Sequence, residues 1–338
     1  MPPSLELPRP PADLRAMRKG DKVTLTWTIP ARTMDRQRVR YLGKTRICRS
    51  LDPTLAQCGT PVGEAAAPAD FASRKNGAGQ KLTATYIDTL RLDLRVRNIF
   101  GSATYAVEVL NVDGRAAGLS NQVHIPLTET LLPPTDFAVR VTARGVELTW
   151  TGALLSLPGS STIRRSYRVY RRAEGSQQEI LVGEREAGTE KNQSLTDQSF
   201  EWEKTYYYRV TTFTVIVQPG KPEVSIEGDD TAEVKVFAED VFPPAVPSGL
   251  QAVFSGPGQQ PFIDLIWAPV TDADLEGYNL YRHEEGAAPI KVNSEPVKIP
   301  AFRDVQVVSG KKYFYSVSAV DLRGNESARS EEASESVP

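Results

Sequence analysis

The stretches Val23–Trp27 (VTLTW), Val146–Trp150 (VELTW) and Ile263–Trp267 (IDLIW) decide the fold. Each places apolar residues at every second position and ends on a tryptophan, which is the period-two pattern of a strand with one buried face. The tryptophans lie 123 and 117 residues apart. We infer one all-β module used three times.

Further landmarks follow each tryptophan strand in the same order. A strand ends in an arginine, an aspartate follows a later strand, and an alternating strand begins with a tyrosine. The arginines are Arg49, Arg171 and Arg282, the aspartates are Asp88, Asp197 and Asp304, and the tyrosines are Tyr105, Tyr206 and Tyr313.

An apolar residue stands six positions before each leading tyrosine: Ile99, Phe200 or Val307. A tyrosine corner needs such an offset, because the ring packs under a loop while the apolar residue closes the bottom of the sandwich. We therefore predict three cores. Their members are Trp27, Trp150, Trp267, Tyr105, Tyr206 and Tyr313.

These landmarks resemble those of tandem fibronectin type III domains over about residues 10–335. The third copy is the clearest, and its Gly324–Ser327 (GNES) is similar to bacterial members. The resemblance implies three immunoglobulin-like, seven-stranded Greek-key sandwiches. Most members of the family bind or space rather than catalyse.

We predict a proline-rich tether at 1–9, then module 1 (10–126), module 2 (127–242) and module 3 (243–338). The interval from Trp27 to Tyr105 is 78 residues, against 56 and 46 in the other copies. This surplus predicts an insertion at 50–80. Prolines at both joints restrict the backbone, which favours short, semi-rigid joints and an elongated rod.

Positive charge is concentrated in module 1. Residues 1–126 hold 19 Lys and Arg against 11 Asp and Glu, whereas 127–246 and 247–338 each carry a net charge of −5. The candidate site for an acidic protein or anionic glycan consists of Arg32, Arg36, Arg38, Arg40, Lys44, Arg46 and Arg49. The alternative is a solvated strand and loop. Nucleic acid is disfavoured, because few aromatic residues interleave with these arginines.

The two cysteines, Cys48 and Cys58, both lie in module 1. A disulfide that closes this short loop is favoured over free thiols, and the spacing does not fit a metal site. Asp272–Gly277 (DADLEG) is similar to the start of a calcium loop, but the downstream ligands are missing. We predict neither a metal nor a cofactor.

The sequence favours a non-catalytic protein. It contains no Gly-x-Ser-x-Gly, no phosphate-binding glycine loop and no His-Glu-x-x-His. We expect a monomeric bacterial surface or periplasmic protein that spaces modules or binds protein or glycan, tethered like a lipoprotein through a lost N-terminal anchor. The alternative is an accessory or scaffolding subunit of a larger carbohydrate-active or secretion assembly.

Overall fold

The computed structural model describes residues 6–68, 71, 81–154 and 162–338. These residues form twenty-two strands and one short helix. Module 1 contains β1 (Arg15–Lys19), β2 (Lys22–Thr28), β3 (Thr45–Ser50), β4 (Gly63–Ala65), β5 (Thr83–Thr89), α1 (Leu92–Arg97), β6 (Ser102–Val109) and β7 (Val123–Pro126). One sheet has the order β1-β2-β5 and the facing sheet has the order β4-β3-β6-β7.

The alternation of β2 turns Val23, Leu25 and Trp27 inward, and all three are buried. They pack against Tyr105 and Val107 of β6 in the facing sheet. The sandwich therefore follows from the period-two pattern of its strands.

Module 3 has the same arrangement with shorter connections. Its strands are β16 (Ser248–Phe254), β17 (Ile263–Ala268), β18 (Leu275–Glu284), β19 (Ile290–Lys291), β20 (Ala301–Asp304), β21 (Lys311–Asp321) and β22 (Ala333–Val337). The sheets have the orders β16-β17-β20 and β19-β18-β21-β22. Trp267 lies edge-on to Tyr278, with ring centroids 5.1 Å apart, in the buried core.

Module 2 repeats the two sheets but splits its last strand. Its strands are β8 (Thr135–Thr142), β9 (Gly145–Thr151), β10 (Ile163–Ala173), β11 (Glu179–Glu186), β12 (Asn192–Asp197), β13 (Thr205–Ile216), β14 (Val224–Asp230) and β15 (Val234–Phe237). β12, β9 and β8 form one sheet, and β14 and β15 both pair with β13 in the other.

The long hairpin of module 2 joins the sheet of module 1. β14 pairs in parallel with β1, with Lys19 opposite Glu227. The Gly20 amide donates to the Glu227 carbonyl at 2.8 Å, and the Lys19 ammonium lies 2.6 Å from the Asp230 carboxylate. Modules 1 and 2 consequently fall largely within one compact unit.

The second compact unit comprises residues 238–338 together with two turns of module 2, Val141–Arg144 and Glu201–Lys204. In this unit Trp202 packs against Phe242, with ring centroids 6.0 Å apart.

The predicted tyrosine corner is wrong for module 1. The Tyr313 hydroxyl accepts a hydrogen bond from the Val308 amide at 3.1 Å, next to a buried Val307, as a corner requires. Tyr105 instead lies opposite Arg49, the position that Tyr315 takes opposite Arg282 in module 3. Ile99 is 44% exposed, so it does not close the bottom of the sandwich as predicted. The position that corresponds to Tyr313, two residues earlier on the strand, is Ala103 in module 1.

The predicted tether is not separate from module 1 where the structure describes it. The Arg9 amide donates to the Arg32 carbonyl, and the Met34 amide donates to the Leu7 carbonyl, each at 3.0 Å. Residues 7–9 thus lie against the loop that follows β2. Residues 1–5 lie outside the described residues.

Candidate functional site

The predicted basic cluster of module 1 separates into two groups. Lys44, Arg46 and Arg49 lie on or beside β3, where acidic side chains face them. Lys44 Nζ is 2.8 Å from Glu64 Oε2, and Arg46 Nη1 is 3.3 Å from Glu108 Oε2. These pairs reduce the charge available to a partner.

Arg49 differs from Lys44 and Arg46, because its part-buried side chain is paired with an aspartate of the facing sheet. Arg49 Nη1 and Tyr105 Oη each donate to Asp88 Oδ2 at 2.6 Å. Burial alone would lower the pKa of Arg49, but the Asp88 carboxylate and the Tyr105 hydroxyl outweigh it and raise this pKa. Burial, followed by the bond to Asp88, raises the pKa of Tyr105. The guanidinium is therefore held against the facing sheet.

The same network stands in all three modules. In module 2, Arg171 and Tyr208 donate to Asp197 at 2.6 and 2.9 Å. In module 3, Arg282 and Tyr315 donate to Asp304 at 2.7 and 2.9 Å. In each module, the arginine and the aspartate that recur in the sequence are therefore the two partners of one ion pair between the facing sheets. The sequence identifies these residues but not their pairing.

The second group of the basic cluster lies in the loop between β2 and β3. Arg32 and Arg38 face each other across an isolated bridge, and Arg32 Nη1 donates to the Arg36 carbonyl at 3.1 Å. Thr33 is buried beneath them and donates to Asp35. Arg32, Arg36, Arg38 and Arg40 are exposed on this folded loop.

A groove of about 970 Å³ opens beside this loop, at the end of module 1 where β2 ends and β5 begins. Four cationic residues line it: Arg9, Arg32, Arg38 and Lys81. Asp13 is the one acidic residue among the described lining residues. Its carboxylate accepts hydrogen bonds from the Thr28 hydroxyl at 2.6 Å and the Thr28 amide at 3.1 Å, and these bonds lower its pKa. The groove is therefore cationic, because Asp13, the single acid among the described lining residues, is already hydrogen-bonded to Thr28.

A disulfide stabilises the insertion of module 1. Cys48 and Cys58 are bonded, with Cα atoms 5.2 Å apart. The loop between them is further fixed by Gln122, whose side chain bonds both the Leu55 amide at 2.9 Å and the Leu55 carbonyl at 2.7 Å. Residues 69, 70 and 72–80 of the predicted insertion lie outside the described residues.

Arginines of module 2 are paired in the manner of a structural surface. Arg168 lies 2.8 Å from Glu184, and Arg172 lies 2.9 Å from Glu233. Such cross-strand pairs stabilise the sheet face and leave little net charge for a ligand.

Asp274, from the calcium-like stretch, meets Asp240 and Asp321. One carboxylate oxygen of each lies within 4.8 Å of the others. Burial, together with these two neighbours, raises the pKa of Asp240 even though the Phe242 amide donates to it. Asp321 already accepts bonds from the Arg323 and Asn325 amides. The cluster alone does not assign a metal.

No family model matches the sequence. Amylopullulanases from three bacteria resemble part of it: 42% identity over 93 residues for Thermoanaerobacterium saccharolyticum, 34% over 128 for Thermoanaerobacterium thermosulfurigenes and 37% over 121 for Thermoanaerobacter thermohydrosulfuricus. These matches cover 27%, 37% and 35% of this chain. The chain spans only 7%, 6% and 8% of those proteins.

Two solved structures are similar to the chain. A Fn3-like protein from Clostridium thermocellum is 31% identical, with 29% of this chain and 96% of that chain covered and a TM-score of 0.25. The FN1–FN3 domains of chicken CNTN1 are 15% identical, with 98% and 99% covered and a TM-score of 0.28. Both TM-scores are too low to support an argument from superposition.

Among the described residues, no helix has the length and apolar character needed to cross a bilayer. The repeated strand order and the buried core of each sandwich show tandem domains with the fibronectin type III fold, as the sequence predicts.

Proposed function

We propose that the chain is a non-catalytic accessory part of an exported carbohydrate-active assembly. The observation that carries this proposal is the shared sequence with three amylopullulanases, which amounts to 6–8% of their length. A stretch of 93 residues is about the size of one sandwich module. The proposed role of such a module is to bind or to space beside an enzyme.

The carboxylates of the groove and of the three arginine–aspartate–tyrosine networks support a non-catalytic role. Hydrolysis of a glycosidic bond ordinarily uses two carboxyl groups on either side of the bond, roughly 5–10 Å apart. Asp13 stands alone among the described residues that line the groove. Asp88, Asp197 and Asp304 are each held by an arginine and a tyrosine inside a core.

The Cys48–Cys58 disulfide supports a location outside the cytoplasm, since such bonds form and persist in oxidising compartments. A surface-tethered or periplasmic protein of lipoprotein type fits this requirement. There the three modules would space a partner from its anchor.

A second candidate function is direct binding of a protein or glycan by module 1. The cationic groove favours it, because neither a plain spacer nor a structural joint needs an open site with four cationic residues.

The proposal is tested by incubating the purified chain with amylopectin, pullulan and a uronic-acid polymer, and by measuring both reducing ends and retention on polysaccharide gels. We expect no reducing ends above those of heat-unfolded chain, and retention by at least one polymer. Hydrolysis that an Asp13→Asn variant abolishes would overturn the non-catalytic assignment. Retention by none of the polymers would contradict the accessory role.

A further inference from the structure

We propose that the groove of module 1 binds an anionic polysaccharide, whose carboxylate or sulfate groups are held by the arginine-rich rim. This inference rests on the proposed accessory function and assigns the ligand class of its module 1. The groove is preformed, its charge is unbalanced, and its walls suit sugar rings better than a peptide.

The groove is preformed because hydrogen bonds fix both of its walls. The Arg9 amide is bonded to Arg32, the Ile29 amide to the Leu82 carbonyl at 2.8 Å, and the Val39 amide to the Ala31 carbonyl at 3.1 Å. Pro10, Pro11 and Pro30 restrict the backbone further. A site of this kind loses little conformational entropy when a ligand binds.

The charge of the rim is unbalanced. Arg9, Arg32 and Lys81 are exposed, and the engaged Asp13 is the single acid that faces them within the described lining. A guanidinium presents a planar fork that matches a carboxylate or sulfate with two parallel hydrogen bonds. The remainder of the chain carries net negative charge, so an anionic polymer is directed to module 1.

The walls favour a carbohydrate over an acidic peptide. Peptides commonly bind by adding a strand to a free sheet edge or by docking proline-rich segments on aromatic rings. The wall amides of Arg9, Ile29 and Val39 are already used, and Phe71 is the one aromatic residue among the described lining residues. Proline rings and the Ile29 side chain instead offer an apolar floor for the C–H faces of sugars, below a rim that holds their acidic groups.

The test compares two triple variants that remove the same charge from the same module. Arg9→Ala/Arg32→Ala/Lys81→Ala removes three of the four cationic residues that line the groove. Arg91→Ala/Arg97→Ala/Arg115→Ala removes three exposed cations that do not line the groove. Affinity for polygalacturonate, dextran sulfate, polyglutamate and neutral dextran is measured by isothermal titration at two salt concentrations, about 50 and about 500 mM. Melting temperatures verify that both variants fold.

We expect the wild-type chain to bind polygalacturonate or dextran sulfate, and its binding to weaken at high salt. The polymer that binds more tightly shows whether the groove prefers carboxylate or sulfate. The groove variant should lose affinity about tenfold and the control variant less than about twofold. Equal losses in the two variants, tighter binding of polyglutamate, or equal binding of neutral dextran would each overturn the inference. Salt-independent binding by the wild-type chain would do the same without any variant.

Failure here is distinguishable from failure of the proposed function. Retention by a neutral polysaccharide without hydrolysis would leave the accessory role in place and remove only the anionic groove. Hydrolysis of a bound polymer would remove the accessory role while leaving the groove as its binding site.

Discussion

Modules 1 and 3 each have a core of the same design, and they differ in the loops around it. Arg49 lies opposite Tyr105 and Arg282 lies opposite Tyr315, and each arginine holds an aspartate of the facing sheet at 2.6 or 2.7 Å. Between the second and third strands, however, module 1 has residues 29–44 and module 3 has only 269–274. The cationic groove and the disulfide of module 1 both depend on such additions. The two sandwiches thus have the same buried network and differ in their loops, which is where binding residues are commonly found.

Breaking the shared network is the largest expected effect. Asp304→Ala leaves Arg282 buried without its carboxylate, and we expect a loss of about 3–5 kcal/mol in the free energy of unfolding of the second compact unit. Asp88→Ala should cost less in the first unit, since the Arg49 and Asp88 side chains are 18% and 10% exposed against 13% and 3% for Arg282 and Asp304. Calorimetry of the full chain would measure both transitions.

The matched controls are Asp264→Ala in module 3 and Asp93→Ala in module 1, which each remove one partner of an exposed ion pair. Exposed pairs contribute at most about 1 kcal/mol. If Asp304→Ala and Asp264→Ala had equal effects, the buried network would not be what the modules have in common.

Local patterns in the sequence were sufficient for the strands and the sandwich. Val23, Leu25 and Trp27 alternate within one strand, and alternation determines which face is buried. A tyrosine corner could not be assigned to module 1 by counting back from Tyr105, because Tyr105 takes the position of Tyr315 and Ala103 takes that of Tyr313. The fold class was therefore predictable while the equivalence of individual residues was not.

Contacts between distant segments explain what the sequence did not reveal. Lys19 pairs with Glu227 across two modules, and nothing in either strand specifies that partner. Likewise the sequence identifies the arginines of module 1 as a charged set, but whether each is paired depends on the facing strand. Glu108 on β6 neutralises Arg46, whereas Arg32 lies on a loop with no such strand.

Removing the disulfide tests whether module 1 needs its extra bond. The double variant Cys48→Ala/Cys58→Ala should lose about 2–3 kcal/mol, because the unfolded chain is no longer constrained by the closed loop. Only the calorimetric transition of the first compact unit should move, since module 3 contains no cysteine. Adding reductant to the wild-type chain should give the same shift, and adding it to the double variant should give none. An unchanged transition in the reduced wild-type chain would mean that the bond stabilises nothing.

The junction between modules 1 and 2 has no counterpart within module 3. Gly20 has a φ of +57°, and a methyl group there would meet the Asp229 carboxylate of module 2. We expect Gly20→Ala to cost about 1–2 kcal/mol from the left-handed backbone alone, and more from displacing Asp229. Urea unfolding would measure this loss.

The control for this junction is Gly114→Ala, in the same module. Gly114 has a φ of +77° and nothing within 4 Å of the added methyl group, so it reports the backbone cost without the contact. The excess of Gly20→Ala over Gly114→Ala measures the junction. Equal losses in the free energy of unfolding would show that β14 moves to accommodate the methyl group at no cost, and that the two modules are loosely joined.

A protonation site in module 3 gives the smallest expected effect. His283 Nδ1 lies 2.9 Å from the Glu284 carbonyl and His283 Nε2 lies 2.9 Å from Glu332 Oε1, so the doubly protonated ring can donate both of its hydrogens. The bond to Glu284 and then that to Glu332 raise the pKa of His283 above its ordinary value of 6.5. The ring also stacks on Phe314 at 5.0 Å between centroids.

Because the folded pKa of His283 is raised, its contribution is fully present below about pH 6.5 and is lost as the pH rises through the folded value. The second compact unit should therefore lose up to about 0.5 kcal/mol across this range, a small figure because Glu332 is half exposed. Urea unfolding at a series of pH values measures the slope, and Glu332→Gln should flatten it by removing the charge. An equal slope in this variant would mean that the Glu284 carbonyl alone raises the pKa, and no slope in the wild-type chain would contradict the protonated pair.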